Sequence, residues 1–336
     1  MHQSLPARVR HRTAVLLCSL TALLLVASCG SASDDQEQQA DDGTFPVTIE
    51  HSHGTTEIPK RPERVIALGY TDVDPLLALD VVPVAMRPWS DLPGPGPWAA
   101  DRLRGAQPHL FQTQGDVDLE EVASLQPDLI VAVNAAVDDA LYQRLSALAP
   151  TIVRPAGYPD FGTPWQDTTR MIGKAVGRSE QAEQLVTDTQ ARIDQVTAQH
   201  PEFAGATGAV VLINPQGGYW PYTRNDARGR FLDSLGIKLP PAAQALDDGK
   251  NFYLNLSPEQ TSVLESDVLV VIDQKGNSQR LSQDPLFQRL EVAKRGDVVV
   301  VPFTDAGIAL AHNTVLSIPY SLETMAPLLA EKLADR

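Results

Sequence analysis

Cysteine is almost absent. The two present among 336 residues, Cys18 and Cys29, both fall near the start of the chain. No disulfide can therefore staple the body, and no thiolate metal site can form in it. A chain of this length buries enough apolar surface to fold without either. Positive charge is also scarce: 27 Lys and Arg stand against 42 Asp and Glu, for a formal net charge of -15. Phosphate recognition needs clustered Lys and Arg, so a nucleic-acid partner is excluded. Catalytic signatures are missing as well. There is no Gly-x-Ser-x-Gly turn and no closely spaced His–Glu pair of the metalloprotease kind. Gly173-Lys174 is followed by Ala175 where a phosphate loop requires Ser or Thr. The residues read as a non-enzyme with no intrinsic cofactor.

Long apolar runs are lacking too. The most apolar stretch, Ala14 to Val26, is shorter than the roughly 20 residues a spanning helix needs. It follows Arg8, Arg10 and Arg12 and ends in Val26-Ala27-Ser28-Cys29, the layout of a signal peptide over residues 1–28. Small residues directly before a cysteine resemble a bacterial lipobox. The resemblance implies cleavage before Cys29 and a lipid on its sulfur. Residues 29–44 are polar and acidic and cannot pack, so they read as a lipidated flexible tether spanning roughly 20 Å.

The body alternates strand-like and helix-like segments. Phe45 to Ile58 reads as a β-hairpin around Ser52-His53-Gly54. Strands are expected at Val65–Gly69, Val81–Ala85, Asp128–Ala132 and Thr151–Val153, with helices at Asp74–Leu79, Leu119–Leu125 and Ala140–Leu148. From Trp165 the apolar period becomes helical, through Ile172, Val176, Leu185, Val186, Ile193 and Val196. Gly177 breaks this run in two, with Ser179 expected to cap the second piece. A second alternating set follows: strands at Ala209–Ile213, Val268–Ile272 and Val298–Val301, helices at Arg228–Leu235, Pro258–Leu264 and Ser317–Leu333. The fold class is α/β, with two lobes each built on a mostly parallel sheet flanked by helices. One lobe covers residues 45–164 and the other 204–336, and bridging helices occupy 165–203, the second forming a single long backbone helix. The lobes echo each other: Leu125-Gln126-Pro127-Asp128-Leu129 and Leu264-Glu265-Ser266-Asp267-Val268 both run from a helix end into a strand through an Asp.

These residues resemble a known family. His53-Gly54-Thr55-Thr56-Glu57-Ile58-Pro59, Pro62-Glu63-Arg64-Val65-Ile66-Ala67-Leu68, Leu119-Glu120-Glu121-Val122-Ala123-Ser124-Leu125-Gln126-Pro127-Asp128, Ile172-Gly173-Lys174-Ala175-Val176-Gly177-Arg178 and Ser257-Pro258-Glu259-Gln260 occur in the order seen in metal-chelate binding proteins of bacterial ABC importers. Those proteins are periplasmic-binding-protein-like, of the helical-backbone type, and carry ferric siderophores, haem or cobalamin. The match covers nearly all of the chain after the tether and looks most like the actinobacterial iron–siderophore binders. It implies two lobes joined by one rigid helix, a ligand in the cleft between them, and small hinge motions. It further implies that Glu120 and Glu259, one per lobe, pair with arginines of the importer permease, although each also suits the first turn of a helix.

Ligands of open α/β sheets sit beyond the carboxyl ends of the strands. Residues placed there are Tyr70, Arg87, Trp89 and Asn134 in the first lobe, Tyr158 on the chain entering the bridge, and Trp220, Tyr222, Arg224 and Lys275 in the second. Aromatic faces with Arg or Lys suit a large, flat and often anionic chelate. The histidines argue less. His51 and His53 share a strand face without an evident third metal ligand. His109, His200 and His312 are isolated, His312 being an axial ligand only if the cargo were haem. The expected function is capture of a ferric siderophore and delivery to an ABC importer by a monomer lipid-anchored on the outer face of the cytoplasmic membrane. Iron would be carried only within the siderophore. Haem and cobalamin are the alternative cargoes, and a surface sensing or docking module without transport is the alternative class.

Replacing Cys29 by Ala is expected to release the protein from membranes while leaving the fold intact. Continued pelleting with membranes after signal cleavage would refute lipid attachment.

Overall fold

Alternating apolar and polar residues build the first element, an antiparallel hairpin of β1 (Val47–His51) and β2 (Gly54–Ile58) in which His51 pairs with Gly54. The computed structural model describes residues 43–334 apart from positions 90, 91, 93, 114 and 216. The leader, Cys29 and nearly all of the expected tether lie outside the described residues. Among the described residues no helix is long and apolar enough to cross a membrane.

The first sheet contains β3 (Val65–Ala67), β4 (Ala85–Met86), β5 (His109–Leu110), β6 (Leu129–Ala132) and β7 (Thr151–Val153) in the order β5-β4-β3-β6-β7. All its pairings are parallel. Helices α1 (Val73–Ala78), α2 (Leu119–Ser124) and α3 (Asp139–Ser146) connect these strands. The central strands β3 and β6 are apolar and buried at every position, as a strand covered on both faces must be. The strand expected over Val81–Ala85 is shorter and shifted. Val81 donates its N–H to Leu76 O and closes α1, and Pro83 has no N–H to give a ladder, so pairing begins only at Ala85.

The bridge is α4 (Trp165–Ala175) and α5 (Ser179–Gln199). Gly177, at φ +70°, makes the break between them. Ser179 is not the cap of α5 but its first residue, and Arg178 holds the cap position. The two helices cross closely because Gly173 has no side chain: a Cβ there would lie 2.3 Å from Cβ of Ala182.

The second sheet orders β8 (Gly208–Ile213), β9 (Tyr219–Pro221), β10 (Val268–Asp273) and β11 (Val298–Pro302) as β11-β10-β8-β9, with only β9 antiparallel. Around it lie α6 (Ala227–Ser234), the short α7 (Pro241–Gln244) and α8 (Glu291–Arg295), then α9 (Asp305–His312) and α10 (Ser317–Leu333). The helix expected at Pro258–Leu264 is a 3-10 turn, opened by a reciprocal Ser257–Gln260 capping box. The echo between the lobes has a physical basis. The Asp128 carboxylate accepts the backbone N–H groups of Glu63 and Arg64 at the entry to β3. The Asp267 carboxylate likewise accepts from the backbone N–H and hydroxyl of Thr207 at the entry to β8. One carboxylate per lobe thus fastens two neighbouring parallel strands where both begin.

Candidate functional site

One cavity of about 320 Å³ lies between the lobes, bordered by strand exits of the first sheet and, in the second lobe, by the exit of antiparallel β9, by α6 and by the end of α9. Among the described residues none directly after β8, β10 or β11 lines it. Its first-lobe wall is set by Asp72, which is fully buried. The Asp72 carboxylate accepts N–H bonds from Val133 at 2.8 Å and Asn134 at 3.0 Å. These bonds tie the loop after β3 to the loop after β6 and bring Tyr70 and Asn134 side by side. Burial pushes the Asp72 carboxyl up to about 7, with the backbone bonds from Asn134, Val133 and Gly69 pulling the other way. Tyr70 meets Trp89 edge-on at 5.4 Å and stacks with Phe161 at 6.0 Å.

The rear wall comes from the end of α9. His312 is buried between Trp89 and Trp98, at centroid distances of 5.3 and 5.1 Å. Its Nδ1 lies 3.8 Å from the Asp74 carboxylate, and neither ring nitrogen has a hydrogen-bond partner among the described residues. Asp74 is itself fully buried behind this wall and accepts from Trp98 Nε1 and the Thr314 hydroxyl. The Asp74–Thr314 bond therefore joins the lobes directly.

The second-lobe wall is α6 and the strand before it. Asp226 caps α6, accepting from the Arg228 N–H at 2.8 Å. Arg228 is buried, donates from one terminal nitrogen to both Asp226 oxygens at 3.0 Å, and lies 4.2 Å over the Tyr222 ring. Burial pushes the Tyr222 phenol up to about 12, with the Arg228 charge opposing. Arg230 donates to Gly162 O at 3.0 Å, and burial holds its guanidinium below the ordinary value, with Asp226 opposing. Gly229 allows this placement: a Cβ there would sit 1.9 Å from the Thr223 carbonyl oxygen, so only glycine lets α6 lie flush against the strand exit.

Of the residues expected at the site, Tyr70, Trp89, Asn134 and Tyr222 line the cavity. The structure does not bring the others to its lining. Arg87 lies 4.9 Å over the Tyr70 ring and donates to Gln112 O and Gly115 O, supporting the wall from outside. Tyr158 donates to Asp167 at 2.7 Å. Trp220 donates to Asn255 and packs on Tyr253, which does line the cavity. Arg224 pairs with Asp233 at 2.9 Å in a neighbouring polar depression. Lys275 is exposed in the turn after β10. The reading of strand ends missed Trp165, Asp226, Arg228, Arg230 and His312. One signal for the arginines was available: the dipole disfavours cations in the first turn of a helix, so an arginine there needs a partner.

Glu120 and Glu259 are both exposed. Asp118 caps α2 by accepting from the N–H groups of Glu120 and Glu121. The neighbouring Glu121 is taken by His109 at 2.6 Å. The Ser257 hydroxyl holds the Glu259 carboxyl below its ordinary value. His51 bonds Thr56, while His53 bonds Asp139 and Val137 O. Among the described residues no three His, Cys, Asp or Glu side chains are placed to hold a metal.

Two lobes built on mostly parallel sheets, a two-helix bridge and an aromatic cleft between the lobes define a two-lobed solute-binding protein. The chain belongs to the periplasmic binding protein family, which it matches over residues 65–304. A periplasmic solute binding protein from Mycobacterium smegmatis str. MC2 155 superposes with a TM-score of 0.76 at 32% identity, over 85% of this chain and 98% of its own. The Fe(3+) dicitrate-binding periplasmic protein FecB of Escherichia coli (strain K12) is 26% identical over 76% of this chain and 82% of its own. The iron(3+)-hydroxamate-binding protein YxeB of Bacillus subtilis (strain 168) is 25% identical over 86% of this chain and 89% of its own.

Removing the charge of Asp226 leaves Arg228 buried and unpaired. Asp226→Ser, which keeps a capping oxygen, is expected to cost about 3 kcal/mol in urea unfolding, and much less when Arg228 is also changed to Met. Equal losses in both backgrounds would show that the pair does not form.

Proposed function

We propose that this chain is an extracytoplasmic solute-binding protein that captures a ferric siderophore in the interlobe cleft and delivers it to the permease of an ABC importer. The observation that carries this reading is the cavity itself. It lies between the lobes at strand exits of the first sheet, and its walls combine Tyr70, Trp89, Trp165 and Tyr222 with the guanidinium groups of Arg228 and Arg230. Rings supply contact area and cations meet ligand oxygens. Kinship with FecB and YxeB supports an iron chelate as cargo. The protein acts by binding and not by catalysis, as a monomer, with iron entering only as part of its ligand. Cys29 carries the lipid that keeps it on the outer face of the cytoplasmic membrane, and Glu120 and Glu259 set its register on the permease.

Haem is the second reading, favoured by one observation: His312 lines the cavity, and neither ring nitrogen has a partner among the described residues. Its seat between Trp89 and Trp98 argues against it, since an axial ligand needs an open approach to the metal.

A single preparation titrated with ferric siderophores, haem and cobalamin tests the cargo. Saturable quenching by a ferric siderophore is expected, and Trp89→Phe and Trp165→Phe should reduce its amplitude because those rings line the cavity. A response to haem or cobalamin alone would overturn the siderophore assignment.

Reversing Glu120 and Glu259 to Arg is expected to abolish uptake by cells while ligand affinity stays within about twofold, because like charges then meet at the docking face. Loss of ligand binding in the purified variant would instead place these glutamates in the cleft or the fold.

A further inference from the structure

The cleft is short of one negative charge. Two guanidinium groups, Arg228 and Arg230, line the cavity, and Asp226 is the sole carboxylate lining it among the described residues. Arg228 takes that carboxylate through both oxygens. Arg230 forms no ion pair among the described residues; its hydrogen bond goes to a neutral carbonyl, Gly162 O, and its buried Nε is unpartnered. Other acids nearby are engaged elsewhere. Asp167 holds the Tyr158 hydroxyl and faces Arg170, and Asp233 pairs with Arg224 and Lys238. Asp247 lines the adjacent depression and accepts from the Gly249 N–H. Asp72 and Asp74 are fully buried behind the wall, Asp74 facing His312. Arg230 lines both the cavity and the adjacent polar depression, so its free edge borders both spaces.

A buried guanidinium without an ion pair of its own, sharing the field of Asp226 with Arg228, is under-compensated, and a ligand that supplies a charge removes that cost. We propose that the cleft selects ferric chelates bearing an anionic oxygen group, a carboxylate or catecholate, and that Arg230 is the residue that recognises it. This rests on the reading of the protein as a ferric-siderophore binder, and it adds the charge class of the chelate. Kinship does not supply that class, since one relative is named for dicitrate and another for hydroxamate.

The test is fluorescence titration with three ferric complexes: ferric dicitrate, a trianionic ferric tris-catecholate and the neutral trihydroxamate ferrichrome. The wild-type protein is expected to bind at least one of the two anionic complexes about tenfold or more tighter than ferrichrome. Arg230→Gln should weaken the preferred anion by about 10- to 100-fold and leave ferrichrome within about threefold, while Arg230→Lys, which keeps the charge, retains the preference. Because Arg230 also bonds Gly162 across the cleft, a purely structural role would weaken every chelate alike. That outcome overturns the proposal, as does ferrichrome binding at least as tightly as both anions, or an anion preference unchanged in Arg230→Gln. Failure of the folded protein to bind any ferric chelate overturns the siderophore reading, and the charge rule with it.

Discussion

Helix α5 is shared between two cores, and the cleft depends on that sharing. Ala182 packs in the core of the first lobe, Val186 and Ile193 in that of the second, and Leu185 against both. Swinging one lobe away would strip apolar side chains from one core or the other, and each such side chain contributes about 1.5–3 kcal/mol when buried. The close α4–α5 crossing at Gly173 leaves no slack to absorb a rotation. A second tie lies behind the cavity, where Asp74 of the first lobe accepts from Thr314 of the second. Wide opening would expose this buried carboxylate and break its bonds. The cavity is therefore largely preformed, and selection falls to the chemistry of its walls.

That chemistry carries costs that packing alone does not explain. A buried ion pair contributes little net stability, because desolvation offsets attraction. Arg228 and Arg230 also stand at the start of α6, where the helix dipole opposes a cation. An apolar pair would stabilise the same contact at least as well. Both costs make sense if the guanidinium groups face a ligand, with Asp226 neutralising one of them and fixing α6 in the same stroke. The Tyr222 ring beneath Arg228 serves this arrangement by holding the guanidinium plane in place from its apolar side.

Much of this was legible from residue patterns, and the reasons are physical. Strands such as β6 are continuous apolar runs, and α5 shows a helical period, so element types followed directly. Tyr70, Trp89 and Asn134 were found because chain leaving a parallel strand must emerge at the ligand edge. Arg224 and Lys275 met the same rule and yet lie outside the cavity, since in the second sheet the exits of β8, β10 and β11 do not border it among the described residues. Helix α9 escaped notice because Ala306 to Ala311 is apolar all round and shows no amphipathic period. His312 was weighed as a haem ligand but, with α9 unseen, was not placed at the cavity wall. The α6 arginines were missed for a related reason: an arginine on a short helix looks like solvent-facing surface until Gly229 is seen to press that helix flat on the strand.

The division between frame and wall explains how kin of one fold can be named for different chelates. Asp128 and Asp267 clamp strand entries, Gly173 sets the helix crossing, and Asp72 joins two strand exits; none of the four lines the cavity. The side chains that do line it lie on segments beyond the strands, on the first turns of α4 and α6, and at the end of α9. Exchanging one of these alters charge or shape in the cleft without breaking a frame contact. The exceptions are residues with a foot on each side, Asp226 as a cap and Arg230 as a bond to Gly162. At those positions a change of cargo chemistry must be made together with a change in how α6 is held. They are therefore the positions where the ligand preference of this chain is most firmly built into its fold.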